Sequence, residues 1–513
     1  MSAARSPRVK ANDWSVLGST PLHRWDPKLA VSIVIPAFRA ERTLPYTLAA
    51  LAAQSYPGHL LEVVVADDGH EPPLELPEIR PENTRVVRTT ASWGRARACH
   101  EGARAADGDV IHWLDADMVP CRHEVEAQMR WHHLLDHAVV LGHKAFVDAD
   151  DLPTVSAVHD AVDNDKVADL FAERWSEEHA WVEKIWQRTG QLRRAGFRAF
   201  HVHVGATASV NRDLYEDAGA MDPGLKLGED IELGYRLAMK GAVFVPDRDA
   251  TSWHLGRSTL MQKELEVQRF NAPFIAERVP DFRKFREARG RMYKVPFVEV
   301  VVAAEGHSFE EVKYTLDGVL QAVPGDVRCV LLGPWSQLRD ERRSPLEDPL
   351  LDLRLVHEEY GSEGRVEFRE ELAPTAFPAL FRLHLPSGWR PGETTLDDLA
   401  KDMQLRALGL RSSLLPDGRV VRLERTAAFE RANRVLEEGE DVDDVVDAVS
   451  ATWWSEGVED GFLHPEHAPE PTADVANRRQ DDPMKAPARG EAPPPAPGTA
   501  RRVASALRRR IRR

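Results

Sequence analysis

The sequence predicts an α/β fold built on a doubly wound, mostly parallel sheet. From Val31 onward, short apolar runs typical of buried strands alternate with helical stretches. Acidic residues follow several of these runs at the point where the strand ends. A second module with the same strand-helix-strand opening begins near residue 296, so the chain is expected to carry two α/β domains.

The elements of the first module follow one another closely. The predicted strands are residues 31–35, 61–65, 85–88, 110–114 and 242–245, and the predicted helices are residues 43–54, 94–106 and 229–239. Residues 154–194 are also expected to be helical, and this stretch holds Trp175, Trp181 and Trp186. These tryptophans either stack on a sugar ring or fill a core.

Length and composition restrict the class of protein. At 513 residues the chain exceeds one ordinary core, and its 42% hydrophobic and 29% charged residues are typical of globular domains. Because no apolar stretch approaches the ~20 residues of a membrane span and the first 30 residues lack a secretory signal, a cytoplasmic protein is expected. The three cysteines are too few and too scattered for a disulfide framework. The net charge of −16 argues against a nucleic-acid partner.

The predicted organisation has five parts. They are an N-terminal extension (1–30), a first α/β domain (31–295), a second, smaller α/β domain (296–467), a disordered Pro/Ala-rich linker (468–500) and an arginine-rich tail (501–513). The tail, Arg501–Arg513, holds seven arginines and no acid. It either lies as a basic helix on an anionic membrane, at the inner face of the cell membrane, or contacts the acidic body as a solvated tail.

The opening of the second module repeats that of the first. Residues 298–302 correspond to 31–35, residues 314–316 to 46–48 and residues 329–332 to 63–66. Gly333, Pro334 and Trp335 stand where the first module has acidic residues, and residues 383–386 lie near the place of its second acidic motif. The second module is therefore either a degenerate, non-catalytic copy or a chance likeness between two amphipathic openings.

Asp115 and Asp117 directly follow the buried strand of residues 110–114. In open α/β sheets, ligands bind at the carboxyl ends of the strands. Two carboxylates separated by one small residue can share a divalent cation, and such a cation neutralises a diphosphate. An Asp-x-Asp alone is more often a solvated turn, so the interpretation depends on its companions.

Three companions are expected at the same sheet edge. Asp67 and Asp68 end the second strand, where a carboxylate can accept hydrogen bonds from a nucleobase or a ribose. Glu229 and Asp230 open a helix directly after a glycine, and His254 follows the last strand, where its imidazole can complete a metal site.

In this order the motifs resemble those of the family 2 glycosyltransferases, which have the GT-A fold. The motifs that carry the resemblance are residues 31–38, 63–69, 107–117 and 227–237. The last of these is most similar to polymerase-like members that build amino-sugar chains. The resemblance covers residues 31–260, about half of the chain.

The resemblance implies an inverting, metal-dependent transfer of a sugar from a UDP-linked donor to a carbohydrate or lipid-linked acceptor in polysaccharide or cell-surface biosynthesis. Asp230 would be the general base and Glu229 would support it. Mn²⁺ or Mg²⁺ would be held by Asp115, Asp117 and His254. The residues expected to bind the donor are Pro36, Asp67, Asp68, Arg95, Arg97 and Asp115.

The chain also departs from the family pattern. Residues 98–102 are Ala-Cys-His-Glu-Gly where the family often has Ala-Arg-Asn-x-Gly, so Arg95 or Arg97 is expected to substitute one turn earlier. A sugar-nucleotide-forming nucleotidyltransferase would need a glycine-rich loop after the first strand, and residues 36–40 contain no glycine. The remaining alternative is a non-catalytic nucleotide-sugar-binding or scaffolding protein with a vestigial transferase domain.

Overall fold

The computed structural model describes residues 6–18, 20–286 and 291–467. In these ranges the chain forms two large mixed sheets, one after the other along the sequence, with helices packed against them. The predicted linker of residues 468–500 and the predicted tail of residues 501–513 lie outside the described residues. No helix in the described ranges is long and apolar enough to cross a bilayer.

The first sheet has nine strands among the described residues. They are β1 Val31–Ala37, β2 Leu61–Asp67, β3 Thr84–Arg88, β4 Val110–Leu114, β5 Met118–Pro120, β6 Ala138–Val147, β7 Ser176–Glu178, β8 Thr207–Asn211 and β9 Val243–Leu255. Their order is β3-β2-β1-β4-β8-β6-β9-β5, and β7 pairs with β6 at one end. The block β3-β2-β1-β4 is parallel, β8 is antiparallel to both neighbours, and β6 pairs parallel with β9. The predicted α/β class is confirmed.

Helices connect and cover these strands. They are α1 Leu44–Ala52, α2 Arg95–Ala105, α3 Glu124–His132, α4 Val155–Asp163, α5 Val167–Phe171, α6 Ala180–Thr189, α7 Arg212–Asp217, α8 Glu229–Met239, α9 Thr259–Gln262 and α10 Glu264–Arg278. The central strands are mostly apolar because helices cover both faces of the sheet, as in other parallel sheets. Each residue of β2 and β4 is buried.

Most predicted elements of the first module are found within a few residues of their expected bounds. Strand β4 and helix α8 match the predicted residues 110–114 and 229–239. The expected helix over residues 154–194 is wrong in part, because β7 and turns divide it into α4, α5 and α6. Trp186 fills the core, whereas Trp175 and Trp181 are partly exposed.

The second sheet repeats the topology of the first. Its strands, with the short ladder that accompanies them, are β10 Val298–Ala303, β11 Val327–Leu332, β12 Val366–Arg369, β13 Phe381–His384, β14 Arg390–Pro391, β15 Leu410–Leu414, β16 Val420–Arg425, β17 Thr452–Glu456 and β18 Phe462–Leu463. The order β12-β11-β10-β13-β16-β15-β17 corresponds, strand by strand and in pairing direction, to β3-β2-β1-β4-β8-β6-β9. The helices are α11 Phe309–Gln321, α12 Leu351–Tyr360, α13 Thr395–Leu405, α14 Thr426–Val435 and α15 Val442–Val449.

The registers of the two sheets align the two modules residue by residue. Val31 pairs with Leu61 and Val110, and Val298 pairs with Val327 and Phe381. Counting from these pairs, residues 386–388 (Pro-Ser-Gly) stand in the place of residues 115–117. A matched topology with matched register favours a degenerate copy over a chance likeness, and the copy lacks the carboxylates.

Both sheets belong to one compact unit that ends at Pro465, so the domain boundary expected near residue 295 stays a prediction. Buried Arg431 on α14 joins the two modules by donating to the carbonyl oxygens of Gly241 (2.8 Å) and Ala242 (2.7 Å). Tyr235 on α8 donates to the carbonyl oxygen of Pro378 at 2.7 Å. The second module therefore supports α8, the helix that carries the acid pair.

Candidate functional site

Sheet pairing brings the Asp-x-Asp motif to His254. Strand β5 follows this motif and pairs antiparallel with β9, which places Met118 opposite His254. The backbone N–H of Leu255 donates to the carbonyl oxygen of Asp117 at 2.8 Å. As a result, one ligand atom from each of Asp115, Asp117 and His254 lies within 4.8 Å of the others.

These three side chains fit a divalent metal. His254 Nδ1 lies 3.0 Å from the carbonyl oxygen of Gly256, so this nitrogen carries the proton and Nε2 keeps its lone pair. Nε2 faces Asp117 Oδ1 at 3.6 Å, and this buried oxygen has no hydrogen-bond partner among the described residues. Burial raises the pKa of Asp117, and nearby Asp115 adds to this effect although His254 opposes it. A cation bound here would satisfy the unpartnered oxygen and offset the repulsion between the carboxylates.

Arg95 connects the metal-ligand set to the acid pair. It opens α2, and its guanidinium donates to Asp115 Oδ1 from Nε (3.0 Å) and Nη2 (2.8 Å). Nη1 of the same side chain donates to Glu229 Oε1 at 2.7 Å. The carboxylates hold the pKa of Arg95 well above its usual value despite its burial, so the guanidinium is a permanent cation in the cleft.

Two glycines place Glu229 and Asp230. Gly228 caps α8 with a φ of +77°, a left-handed conformation that favours glycine, and turns the helix start into the cleft. Gly234 lets α8 approach the neighbouring 3₁₀ turn, because a Cβ there would lie 2.7 Å from the Cβ of His203. His203 Nδ1 in turn lies 2.7 Å from the carbonyl oxygen of Asp230.

The two acids of the pair have different surroundings. Glu229 is buried, and burial raises its pKa; the Arg95 ion pair opposes this shift and the charge of Asp230 adds to it. Asp230 is half-buried and lines the cleft; its Oδ1 accepts from the N–H of Ile231 at 2.8 Å. Its Oδ2 has only a long contact, 3.4 Å, with the N–H of Gly205. Asp230 Oδ2 is therefore the oxygen better placed to accept a proton.

Lys144 is a site residue that sequence reasoning missed. It lies on β6, is 6% exposed, and lines the same cleft as Asp115, Asp230 and His254. Its side-chain amine makes no hydrogen bond or close ion pair with any described residue. Burial lowers its pKa to about 8, although the surrounding carboxylates oppose this shift. The amine is therefore a second cation in the cleft.

A cleft of about 700 Å³ opens on the other side of Asp115 and Asp117. Pro36, at the end of β1, and Asp68, after β2, lie on its wall. Asp68 accepts from the N–H of Gly94 at 2.7 Å, so it also holds the loop before α2. Two exposed aromatic residues, Phe38 (57%) and Trp93 (67%), flank this cleft and were not expected from the sequence.

Asp67 and Arg97 are not among the residues that line this cleft. Asp67 is buried and accepts from the N–H of Gly69 and of His70, at 3.1 and 2.9 Å, so it organises the turn after β2. Burial acts to raise its pKa, but the bonds from His70 outweigh this and hold the pKa below its usual value. Arg97 pairs with Glu101 on α2 at 3.0 Å. The structure thus brings together all of the predicted site residues except these two.

The cleft lined by Arg95, Asp115, Asp230 and His254, about 400 Å³, continues into an open groove of about 780 Å³. Trp181, Ile231, Leu260 and Asn271 line both spaces. Trp181 is 40% exposed, and its ring faces the space beside the acid pair. The site therefore has two approaches, one on each side of the metal-ligand set.

Comparison with known families agrees with this geometry. Residues 32–218 match the family model described as glycosyl transferase family 2. This match includes β1 to β8 and the Asp-x-Asp motif, and it ends before the acid pair and His254.

Curated relatives and solved structures show more distant likeness. The chain is 25% identical to the chondroitin synthase of Pasteurella multocida (strain Pm70) over 315 residues, and 26% identical to the hyaluronan synthase of Pasteurella multocida over 316 residues. Each alignment covers 56% of this chain, and the chain spans only 31% of either relative. The structure of S. aureus TarS residues 1–349 in complex with UDP-GlcNAc is similar with a TM-score of 0.34 and 16% identity, covering 50% of this chain and 70% of that one. Through residues 32–218 of its first module, the chain is similar to glycosyl transferase family 2.

Proposed function

We propose that this chain is an inverting, metal-dependent glycosyltransferase. It transfers a sugar from a UDP-linked donor to a hydroxyl group of a carbohydrate or lipid-linked glycan. The observation that carries the proposal is that Asp115 and His254, two of the three metal-ligand residues, line one cleft with the acid pair Glu229 and Asp230. The third, Asp117, has a ligand atom within 4.8 Å of theirs. In a non-catalytic scaffold such a cluster of charges would be expected to erode, because desolvation and mutual repulsion of the carboxylates destabilise the folded protein.

The cleft of about 700 Å³ beside Pro36 and Asp68 is the proposed donor site. Asp68 is in place to accept hydrogen bonds from the nucleobase or ribose, and Phe38 and Trp93 offer faces on which a base can stack. Asp115 and Asp117 line the same cleft, and the diphosphate of the donor would lie beside them.

Asp115, Asp117 and His254 would hold the cation, Mn²⁺ or Mg²⁺, which neutralises the charge of the nucleoside-diphosphate leaving group. Arg95 and Lys144 add fixed positive charge around the same space. Arg95 also orients Asp115 through two hydrogen bonds to one of its oxygens. Asp115 is therefore already positioned as a metal ligand when the donor binds.

Asp230 is the proposed general base, because Oδ2 faces the cleft without a short hydrogen bond. It accepts the proton of the acceptor hydroxyl as the oxygen attacks the anomeric carbon. The bond from that carbon to the diphosphate oxygen breaks in the same displacement, which inverts the anomeric centre and needs no covalent enzyme intermediate. Glu229 acts through Arg95 by holding the guanidinium in place.

The groove of about 780 Å³ is the proposed acceptor site. It leads directly to Asp230, and Trp181 supplies a flat apolar face on which a sugar ring can stack. We place the reaction in the cytoplasm, in polysaccharide or cell-surface biosynthesis, with Arg501–Arg513 as the segment that contacts an anionic membrane.

The test is release of UDP from a panel of UDP-sugars by the purified chain, with Mn²⁺, Mg²⁺ or EDTA. Turnover is expected only with a cation. We expect Asp230→Asn to lower kcat by about 10²- to 10⁴-fold, the range of general acid-base catalysis, while the Kd for UDP changes little. Asp117→Asn should abolish both turnover and Mn²⁺-dependent UDP binding.

Asp213→Asn is the matched control, because Asp213 is an exposed aspartate in the first turn of another helix, α7. It should keep full activity. Wild-type turnover in both Asp117→Asn and Asp230→Asn would overturn the assignment. UDP binding with no transfer to any acceptor, in a protein that binds Mn²⁺, would favour the binding-protein alternative.

A further inference from the structure

A second group of metal-ligating side chains lies outside the catalytic cleft. It comprises His23, from the segment before β1, His123, the residue that caps α3, and Glu126, in the first turn of α3. One ligand atom from each lies within 4.8 Å of the others. None of the three belongs to the site built from Asp115, Asp117 and His254.

The distances are close to those of a tetrahedral zinc site. Glu126 Oε2 lies 3.3 Å from His23 Nδ1 and 3.8 Å from His123 Nδ1. Zinc bonds of about 2.0–2.2 Å in tetrahedral directions place neighbouring ligand atoms about 3.3–3.6 Å apart. The two imidazole rings meet edge to face, with centroids 4.3 Å apart. A cation between the three atoms would therefore require only small side-chain movements.

The surrounding groups orient the ligands. Glu126 is buried; its Oε1 accepts from the N–H of His23 at 2.6 Å and from Trp25 Nε1 at 3.2 Å. Its Oε2 accepts from Ser55 Oγ at 2.7 Å. Outer-shell bonds of this kind fix ligating carboxylates in metalloproteins.

His123 also has a carboxylate beyond its far nitrogen. Its Nε2 lies 3.9 Å from Asp165 Oδ2, while Nδ1 lies 3.8 Å from Glu126 Oε2 and 3.0 Å from Ser55 Oγ, a contact that a bound ion would replace. A metal on Nδ1 places the ring proton on Nε2, and Asp165 would have to move closer than 3.9 Å to accept that proton as in a carboxylate-histidine-metal triad. His23 is 56% exposed at its side chain, which leaves an entry path for the ion and a free position for water.

We propose that His23, His123 and Glu126 form a zinc-binding site. Two imidazoles and one carboxylate are a donor set typical of Zn²⁺, whereas Mg²⁺ and Ca²⁺ prefer oxygen ligands alone. Because His23 belongs to the N-terminal segment and the other two ligands to α3, the ion clamps that segment onto the first module. The site is independent of the proposed transferase function.

The test measures metal content in an Asp117→Asn background, which removes the catalytic-site ligand. Chelator-treated protein is incubated with Zn²⁺, separated from free metal by gel filtration, and analysed by inductively coupled plasma mass spectrometry. We expect close to one zinc per chain and a higher Tm with Zn²⁺ than without it. With Co²⁺ instead, visible absorption bands of a four-coordinate site should appear.

Two variants should lose the zinc. His23→Gly removes one imidazole at a residue whose φ is +60°. Because glycine adopts this backbone conformation without strain, the substitution should not destabilise the fold. His123→Gln removes the other. His59→Ala, a change of an exposed histidine, is the control and should retain the metal. Absence of retained zinc in the parent, or as much zinc retained in His23→Gly and His123→Gln as in the parent, would overturn the proposal.

Discussion

Arg95 donates two hydrogen bonds to one oxygen of Asp115, from Nε at 3.0 Å and from Nη2 at 2.8 Å. The third arm of the guanidinium reaches Glu229 at 2.7 Å, and Nη2 also donates to the carbonyl oxygen of Gly205 at 2.7 Å. One side chain therefore ties together β4, β8 and α8 at the carboxyl edge of the sheet. The two acidic motifs of the cleft act as one electrostatic unit.

This arrangement predicts strong coupling between Arg95 and Glu229. Arg95→Met leaves buried Glu229 without its cation, and we expect a loss of about 2–4 kcal/mol in the free energy of unfolding. Glu229→Gln alone should cost less, since the amide can still accept from Arg95. In the double variant most of the first loss should be recovered. Urea unfolding of the four proteins measures the coupling energy, and additive losses would contradict this account.

His254 is predicted to contribute directly to metal affinity. His254→Ala should weaken Mn²⁺ binding by at least ~10-fold, because it removes one of three protein ligands. The free Mn²⁺ signal in electron paramagnetic resonance gives the Kd, in the presence of UDP. His59→Ala changes an exposed histidine and should leave the Kd unaltered. An unchanged Kd in His254→Ala would remove His254 from the metal site.

The site residues that could be predicted are those whose position is indicated by the sequence immediately around them. Asp115, Asp117, Glu229 and Asp230 each stand at the end of a strand or the start of a helix, so the edge of the sheet could be assigned from the pattern alone. The order of strands in the first sheet then brings them together. His254 was found in the same way, although its strand β9 is far longer than the predicted residues 242–245.

Residues whose role depends on pairing or on helix phase could not be predicted. Lys144 lies inside a run whose strand partners, β8 and β9, come more than 60 residues later, so nothing in the sequence tells which face it occupies. Arg95 and Arg97 were equivalent candidates in the sequence. Two residues apart on a helix they point about 200° from each other, and the structure turns Arg95 toward the cleft and Arg97 toward Glu101.

Arg431 is predicted to hold the second module in place. Its guanidinium is buried and satisfies the carbonyl oxygens of Gly241, Ala242 and Val9. Burial lowers its pKa to about 9, so it stays charged at neutral pH. Arg431→Met should leave these oxygens unpaired and lower the free energy of unfolding by about 2–4 kcal/mol. Arg342→Met, at an exposed arginine, is the control for urea unfolding, and equal midpoints would contradict the prediction.

Lys144 is predicted to lower the free energy of unfolding while strengthening metal-dependent UDP binding. Burial lowers its pKa from 10.5 to about 8, so the charged amine costs free energy in the folded state at neutral pH. Lys144→Met should therefore raise the free energy of unfolding by up to about 3.5 kcal/mol at pH 7, since a pKa difference of one corresponds to ~1.4 kcal/mol. The same variant should weaken metal-dependent UDP binding, because it removes a cation from the cleft, whereas Lys144→Arg should retain part of it.

The sign of the pH dependence follows from the direction of this shift. Below pH 8 the amine is protonated in both the folded and unfolded states, and the full cost is present. Between pH 8 and 10.5 the folded protein releases the proton while the unfolded chain keeps it, so the wild type gains stability relative to Lys144→Met as pH rises. Urea unfolding of both proteins at pH 7 and pH 9.5 measures this difference. A constant gap between them, or a wild type more stable than Lys144→Met at pH 7, would show that the amine is already compensated by the carboxylates around it.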